Sequence, residues 1–127
     1  MTTSRALRFA AALLIAAACA VGQVKLHKEH VVYLGCAANT TAPATLVAAD
    51  VRAATPEWIL IERDGVDLQS ARGRQLVVRM SRRIREAVRE VAVQQGRDLV
   101  VRARDVKDDH GREVADLTAA VVAQLQG

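Results

Sequence analysis

The chain has 127 residues, which is the length of one domain. Hydrophobic residues make up 51%, but these are mostly Ala and Val, and the aromatic residues are Phe9, Tyr33 and Trp58. Small side chains bury little area per position, so a compact monomer would have a small stability margin. Association of subunits is one way to complete such a core. The formal charge is +4, which favours anionic partners.

The first 22 residues have the pattern of a secretory signal peptide. Arg5 and Arg8 precede an apolar run from Phe9 to Val21, and Ala18-Cys19-Ala20 offers a small-residue cleavage site after Ala20. The run is about 13 residues long and therefore shorter than the roughly 20 that cross a bilayer. We expect residues 1–20 to be a signal peptide and the protein to be periplasmic.

The two cysteines leave alternatives open. Cys19 ends an apolar run and could be a lipid-attachment site, although Ala16 stands where bacterial lipoprotein signals prefer Leu. Cleavage after Ala20 would leave only Cys36, which cannot form a disulfide within the chain. We expect Cys36 to be buried as a small hydrophobe, and a free or interchain-paired thiol is the alternative.

Residues 21–44 predict an irregular leader in which the apolar run from Val31 to Leu34 could form an edge strand. Thr45 to Val51 predicts a buried strand because it is short and rich in β-branched residues. Thr55 followed by Pro56 is typical of a helix start. We expect a short helix that ends at Asp64-Gly65, with Trp58 in the core.

The clearest predicted element is a long amphipathic helix from Ser70 to Gln95. Apolar residues recur in it at every third or fourth position, and Gly96 provides its stop. We expect this stripe to form an oligomer interface or hairpin core, covered by sister subunits. Its members are Leu76, Met80, Ile84, Val88 and Val91.

A second strand is predicted from Asp98 to Ala103, then a polar turn from Val106 to Arg112 and a final helix from Val114 to Leu125. The predicted fold class is α+β. It has a small β-sheet body completed by oligomerisation, a long helix in a short helical hairpin, and a C-terminal helix.

Three stretches resemble the Skp/OmpH family of periplasmic chaperones. IREAVREVAVQQGRDLVVRARDV, Ile84 to Val106, is similar to that family's returning arm helix and following strand. VADLTAAVVAQL, Val114 to Leu125, resembles its closing helix, and LVAADVRAATPEW, Leu46 to Trp58, resembles its first strand and helix start. The resemblance assigns residues 45–127 to an Skp/OmpH-like domain.

The resemblance implies a trimer that holds unfolded outer-membrane proteins, in which helical arms project from a shared β-barrel body. This chain departs from that pattern because only residues 64–69 separate the short helix from the long one, so its arms are very short. We expect a non-enzymatic holdase without a cofactor. The alternative is an envelope scaffold or lipoprotein that holds no client.

Arginines on the long helix are the predicted client- or anion-binding surface, because the guanidinium fork suits carboxylates and phosphates. Contact with a membrane surface is an additional expectation. Nucleic acid is not expected as a partner, since the chain carries an export signal and no aromatic residues interleave with the arginines. The predicted residues are Arg72, Arg74, Arg79, Arg82, Arg83, Arg85 and Arg89.

Metal and catalytic sites find little support in the sequence. His27, His30 and Cys36 lack the paired spacing of zinc ligands, and the residues after Lys107 lack the pattern of a calcium loop. No glycine-rich phosphate loop, nucleophile elbow or HExxH motif occurs. We therefore predict no metal site and no enzymatic activity.

Overall fold

The computed structural model describes residues 24–109, 111 and 113–127. The predicted signal peptide, with Cys19, lies outside these residues. Helices and a small mixed sheet confirm the α+β fold class. In chain order the elements are β1 (Lys25–Leu26), β2 (Val32–Leu34), β3 (Pro43–Leu46), α1 (Ala48–Ala53), α2 (Pro56–Asp64), α3 (Ala71–Gln95), β4 (Leu99–Arg102), β5 (Val106–Asp108), β6 (Ala115–Asp116) and α4 (Thr118–Gln126).

Four strands form one sheet in the order β2-β4-β3-β6. The central strand β4 runs antiparallel to β2 and parallel to β3, and β6 runs parallel to β3. Leu99, Val100 and Val101 of β4 are buried, as expected for a strand that is covered on both sides. The prediction of an edge strand near Val31–Leu34 is confirmed by β2.

The described part of the predicted leader is not irregular. β1 pairs with β5, and β2 pairs with β4. These partners lie more than 60 residues further along the chain, so a local pattern cannot reveal them. For the same reason the predicted polar turn from Val106 to Arg112 is wrong at its start. There the chain forms strand β5, which pairs with β1.

The predicted strand from Thr45 to Val51 is wrong in its second half. β3 ends at Leu46, and α1 begins at Ala48. Parallel strands need a crossover connection, here from β3 to β4, and the chain leaves the sheet at Val47 to begin it. Val51 is buried as predicted, but it lies on a helix.

The final helix begins later than predicted. Residues 115–116 pair with β3 as strand β6, and α4 begins at Thr118. The Asp116 carboxylate accepts a hydrogen bond from the Thr118 amide at 2.9 Å, which satisfies one of the free donors at the start of the helix.

The predicted ends of the other two main helices are confirmed. The Thr55 hydroxyl accepts from the Trp58 amide at 3.3 Å at the start of α2. The Ser70 hydroxyl accepts from the Gly73 amide at 3.0 Å at the start of α3. Both helices end at a glycine in the left-handed region, Gly65 and Gly96.

The apolar stripe of α3 is covered within the chain. Met80, Ile84, Val88 and Val91 are buried, and Leu76 is half-buried. The four buried residues join one core cluster with residues from β3, β4, α1 and α4. Sister subunits are therefore not needed to cover this stripe, contrary to the expectation from the sequence.

The Asp98 carboxylate fixes the start of β4 against the loop that leads into β3. It accepts from the Thr40 hydroxyl at 2.6 Å, from the Thr41 amide and hydroxyl at 2.7 Å each, and from the Ala42 amide at 3.0 Å. Partial burial opposes ionisation, but these hydrogen bonds outweigh it and hold the pKa of Asp98 well below its ordinary 3.8. The charged carboxylate therefore aligns the two parallel strands.

Gly35 allows the turn after β2 to pass close to Asp98. Its φ is +82°, and a Cβ added there would lie 2.0 Å from the Asp98 carbonyl oxygen.

We predict that Gly35→Ala lowers the free energy of unfolding by about 2–4 kcal/mol, since backbone strain and a backbone clash add together. Gly111→Ala is the control, because Gly111 has φ +72° but open space around it, and should cost about 1 kcal/mol. Equal losses in urea unfolding would contradict this packing.

Candidate functional site

All seven arginines of the predicted binding surface are exposed on α3. The core contacts of Met80, Ile84 and Val91 define the inward side of this helix. Positions three or four residues apart lie on one side of a helix. The structure therefore spreads the seven arginines over the part of α3 that points away from the core.

The side of α3 opposite the core carries both charge and exposed apolar groups. We call the row formed by Val78, Arg82, Arg85, Arg89 and Val93 the outer face of α3. Val78 is 57% exposed and Val93 is 77% exposed, although both are hydrophobic residues inside a regular helix. Exposed hydrophobic residues that stand singly are common on protein surfaces, so the three arginines are the main feature of this face and the valines add apolar area beside them.

Most of these arginines form no ion pair within the part of the chain that the structure describes. Among the ion pairs of the described residues, none includes the three arginines of the outer face or the neighbouring Arg74 and Arg79. Their guanidinium groups therefore keep their donors for solvent or for a binding partner.

Two shallow hollows adjoin the outer face. The larger, about 420 Å³, lies around Val78 and is bordered by Arg74, Gln75, Arg79 and Arg82. The smaller, about 200 Å³, lies between α2 and α3 and includes Arg79, Arg82 and Glu57. The larger hollow combines the apolar Val78 with three cationic groups. It can therefore accommodate an apolar side chain of a partner that has an acidic group nearby.

Arg83 and Arg72 are used differently. The Arg83 guanidinium donates to both carboxylate oxygens of Glu57 at 2.8–3.0 Å. Arg72 lies 3.5 Å from the Asp64 carboxylate. Arg83 therefore joins α3 to α2, and its guanidinium is already engaged, unlike those of the outer face.

Glu57 is only 7% exposed, so its charge depends on Arg83. Burial opposes ionisation of Glu57, but the hydrogen bonds and charge of Arg83 outweigh it and lower the pKa of Glu57 below its ordinary 4.5. The pair sets how α2 lies against α3, and this packing borders the smaller hollow.

Trp58 contacts the core with part of its surface, in keeping with the predicted core role, and also has a polar neighbour. The Arg52 guanidinium carbon lies 4.5 Å from the centre of its ring, a cation–π distance. Sequence reasoning missed Arg52, because a helix break separates it from Trp58 and no periodic pattern connects the two residues.

Cys36 is exposed, so the expectation that it is buried is wrong. It follows the turn at Gly35, where the chain has left β2, and no element among the described residues covers it. The ring of His30 lies 2.8 Å from the His27 carbonyl oxygen. Within the described ranges, no group of three His, Cys, Asp or Glu residues is placed to hold a metal ion.

Comparison of the chain with models of protein families finds no match. Neither the curated proteins nor the solved structures contain a match either. In the part of the chain that the structure describes, no helix is both long enough and apolar enough to span a membrane.

We predict that Glu57→Gln lowers the free energy of unfolding at pH 7 by about 1–2 kcal/mol, since it weakens a charge-assisted pair that is exposed on the arginine side. A carboxyl group whose pKa is lowered by folding stabilises the protein above its unfolded pKa. The difference between wild type and variant should therefore shrink as the pH falls below about 4.5.

Glu62→Gln is the matched control, because Glu62 is exposed on the same helix and should change stability by less than about 0.5 kcal/mol. Urea unfolding at pH 7, 5 and 3 measures all three proteins. A difference between wild type and Glu57→Gln that stays constant with pH would contradict the role given to the Glu57 charge.

Proposed function

We propose that this protein is an exported holdase of the Skp/OmpH type that binds unfolded outer-membrane proteins in the periplasm. The observation that carries the proposal is the outer face of α3, where three arginines without an ion-pair partner among the described residues lie between two exposed valines. The signal-like first 22 residues and the sequence resemblance support export and the type of client.

The chemistry of the outer face fits an unfolded polypeptide. Such a chain presents apolar side chains and carboxylates in varying order, with no fixed shape to recognise. Exposed Val78 and Val93 can bury apolar area against it, and arginines can form two parallel hydrogen bonds to a carboxylate. Each contact is weak, so a client can be held and released without a pocket that fits one sequence.

The geometry of the helices favours contact along a surface. α3 has 25 residues and is therefore about 38 Å long, whereas α2 has nine and pairs with only part of it. The hairpin is too short to enclose a whole client. We infer that the client lies along α3, so that holding depends on several subunits or several chaperone molecules for each client.

The sequence leaves a second reading, in which the protein is a lipid-anchored envelope scaffold without clients. It depends on Cys19 as a lipid-attachment site. The two hypotheses differ in one measurable property. A holdase binds an unfolded membrane protein in its purified, unlipidated form, whereas a scaffold without clients does not.

The test is a triple variant, Arg82→Gln, Arg85→Gln and Arg89→Gln, compared with wild type. We expect the triple variant to bind a urea-unfolded outer-membrane β-barrel with a dissociation constant about tenfold larger than that of wild type at low salt, because three charge-assisted contacts are lost. Light scattering after dilution of the client from urea should show correspondingly less suppression of aggregation. Wild-type binding should weaken as salt is added.

The matched control is Lys28→Gln, Arg63→Gln and Lys107→Gln, which removes the same charge from exposed positions elsewhere. This control should bind the client within about twofold of wild type. Equal weakening of both triple variants would show that only net charge matters and would contradict a role for the outer face.

The proposal also predicts assembly. The sheet ends in short edge strands, β2 and β6, and the family resemblance implies a trimer. Native mass spectrometry of the mature protein should give three times the subunit mass at micromolar concentration. A monomer over the whole measurable concentration range would contradict a shared body.

A further inference from the structure

A second basic hollow lies at the carboxyl ends of the two central parallel strands. β3 ends at Leu46 and β4 ends at Arg102, side by side in register. The hollow there has a volume of about 290 Å³, with Ala48 and the exposed Val47 among its apolar lining and Arg52, Arg102 and Arg104 as its cationic groups. In open sheets, the carboxyl ends of parallel strands are a common place for ligands.

The charge in this hollow is not balanced. Arg102 donates to the buried Asp105 carboxylate at 2.8 and 3.0 Å. No ion pair of the described residues includes Arg52 or Arg104. Three guanidinium groups therefore share one paired carboxylate, which leaves an excess of positive charge next to apolar surface.

Arg52 is positioned without the help of an acid. Its guanidinium lies on the Trp58 ring at 4.5 Å, and its Nε is buried without a hydrogen-bond partner. Packing on an aromatic ring fixes a guanidinium and does not neutralise it. Arg52 therefore offers an oriented cation whose bonding capacity is not used within the described residues.

We propose that this hollow binds the carboxyl terminus of a peptide, with the terminal carboxylate between Arg52 and Arg104 and the last side chain against the exposed Val47. Arginine pairs suit a carboxylate, and capture of a terminal carboxylate is a known mode of peptide recognition. The volume corresponds to about ten water molecules, enough for a terminal residue with a small or medium apolar side chain.

The apolar lining is what favours a peptide terminus over a bare inorganic anion. Phosphate alone would contact the arginines and leave Val47 and the alanines uncovered, whereas an apolar terminal side chain buries them. The inference rests on α1 and on the ends of β3 and β4, and not on the proposed holdase function.

Trp58 provides the readout, because it is the only tryptophan of the chain and contacts Arg52. The probes are the acetylated peptide Gly-Ser-Ala-Val with a free carboxyl terminus and the same peptide with a terminal amide. Titration followed by Trp58 fluorescence and by calorimetry should show at least about tenfold tighter binding of the acid, since the amide lacks the charge.

Arg104→Gln should weaken binding of the acid peptide by about tenfold and leave the amide peptide unchanged. Arg104 is exposed, so the fold should be kept, and circular dichroism checks this. Arg89→Gln is the control, because it removes the same charge from α3 and should leave acid binding within about twofold.

Four results would overturn the inference. The acid peptide and the amide peptide could bind equally well. Alternatively, neither peptide could bind. Inorganic phosphate could bind as tightly as the acid peptide, which would make the hollow a general anion site. Arg104→Gln and Arg89→Gln could weaken acid binding to the same extent, which would reduce the effect to net charge.

Discussion

The structure depends above all on the burial of the apolar stripe of α3 inside a single chain. Met80, Ile84, Val88 and Val91 pack into one core with residues of β3, β4 and α4. The stripe occupies one side of α3. Its burial therefore determines which positions of the helix point away from the core. The arginines and the two exposed valines face solvent as a consequence. The proposed client surface is therefore the side of α3 opposite the core.

Three carboxylates then fix how the elements meet. Asp98 joins the start of β4 to the loop before β3, Glu57 joins α2 to Arg83 of α3, and Asp105 holds Arg102 and also accepts from the Val31 amide at 2.9 Å. For all three, folding lowers the carboxyl pKa despite burial. With a core of small side chains, such directional contacts are needed to select one arrangement of the elements.

The helices could be predicted from the sequence because their signals are local. Thr55-Pro56, Ser70 and Gly96 mark helix ends through bonds to residues a few positions away. β1, the end of β3 and the exposure of Cys36 could not be predicted, since they depend on which distant segment lies beside them. The same limit applies to the site. The arginines of α3 follow from helical spacing, whereas the hollow with Arg52, Arg102 and Arg104 exists only because β3 and β4 end side by side.

Photo-crosslinking tests client binding at the outer face of α3 most directly. In a Cys36→Ser background, a benzophenone label is placed by Val78→Cys, by Val93→Cys or, as the control, by Lys107→Cys, all at exposed positions. With a urea-unfolded outer-membrane β-barrel as client, the labels at 78 and 93 should give most of the crosslinked product. Equal yields from all three positions, or more product from position 107, would contradict the account.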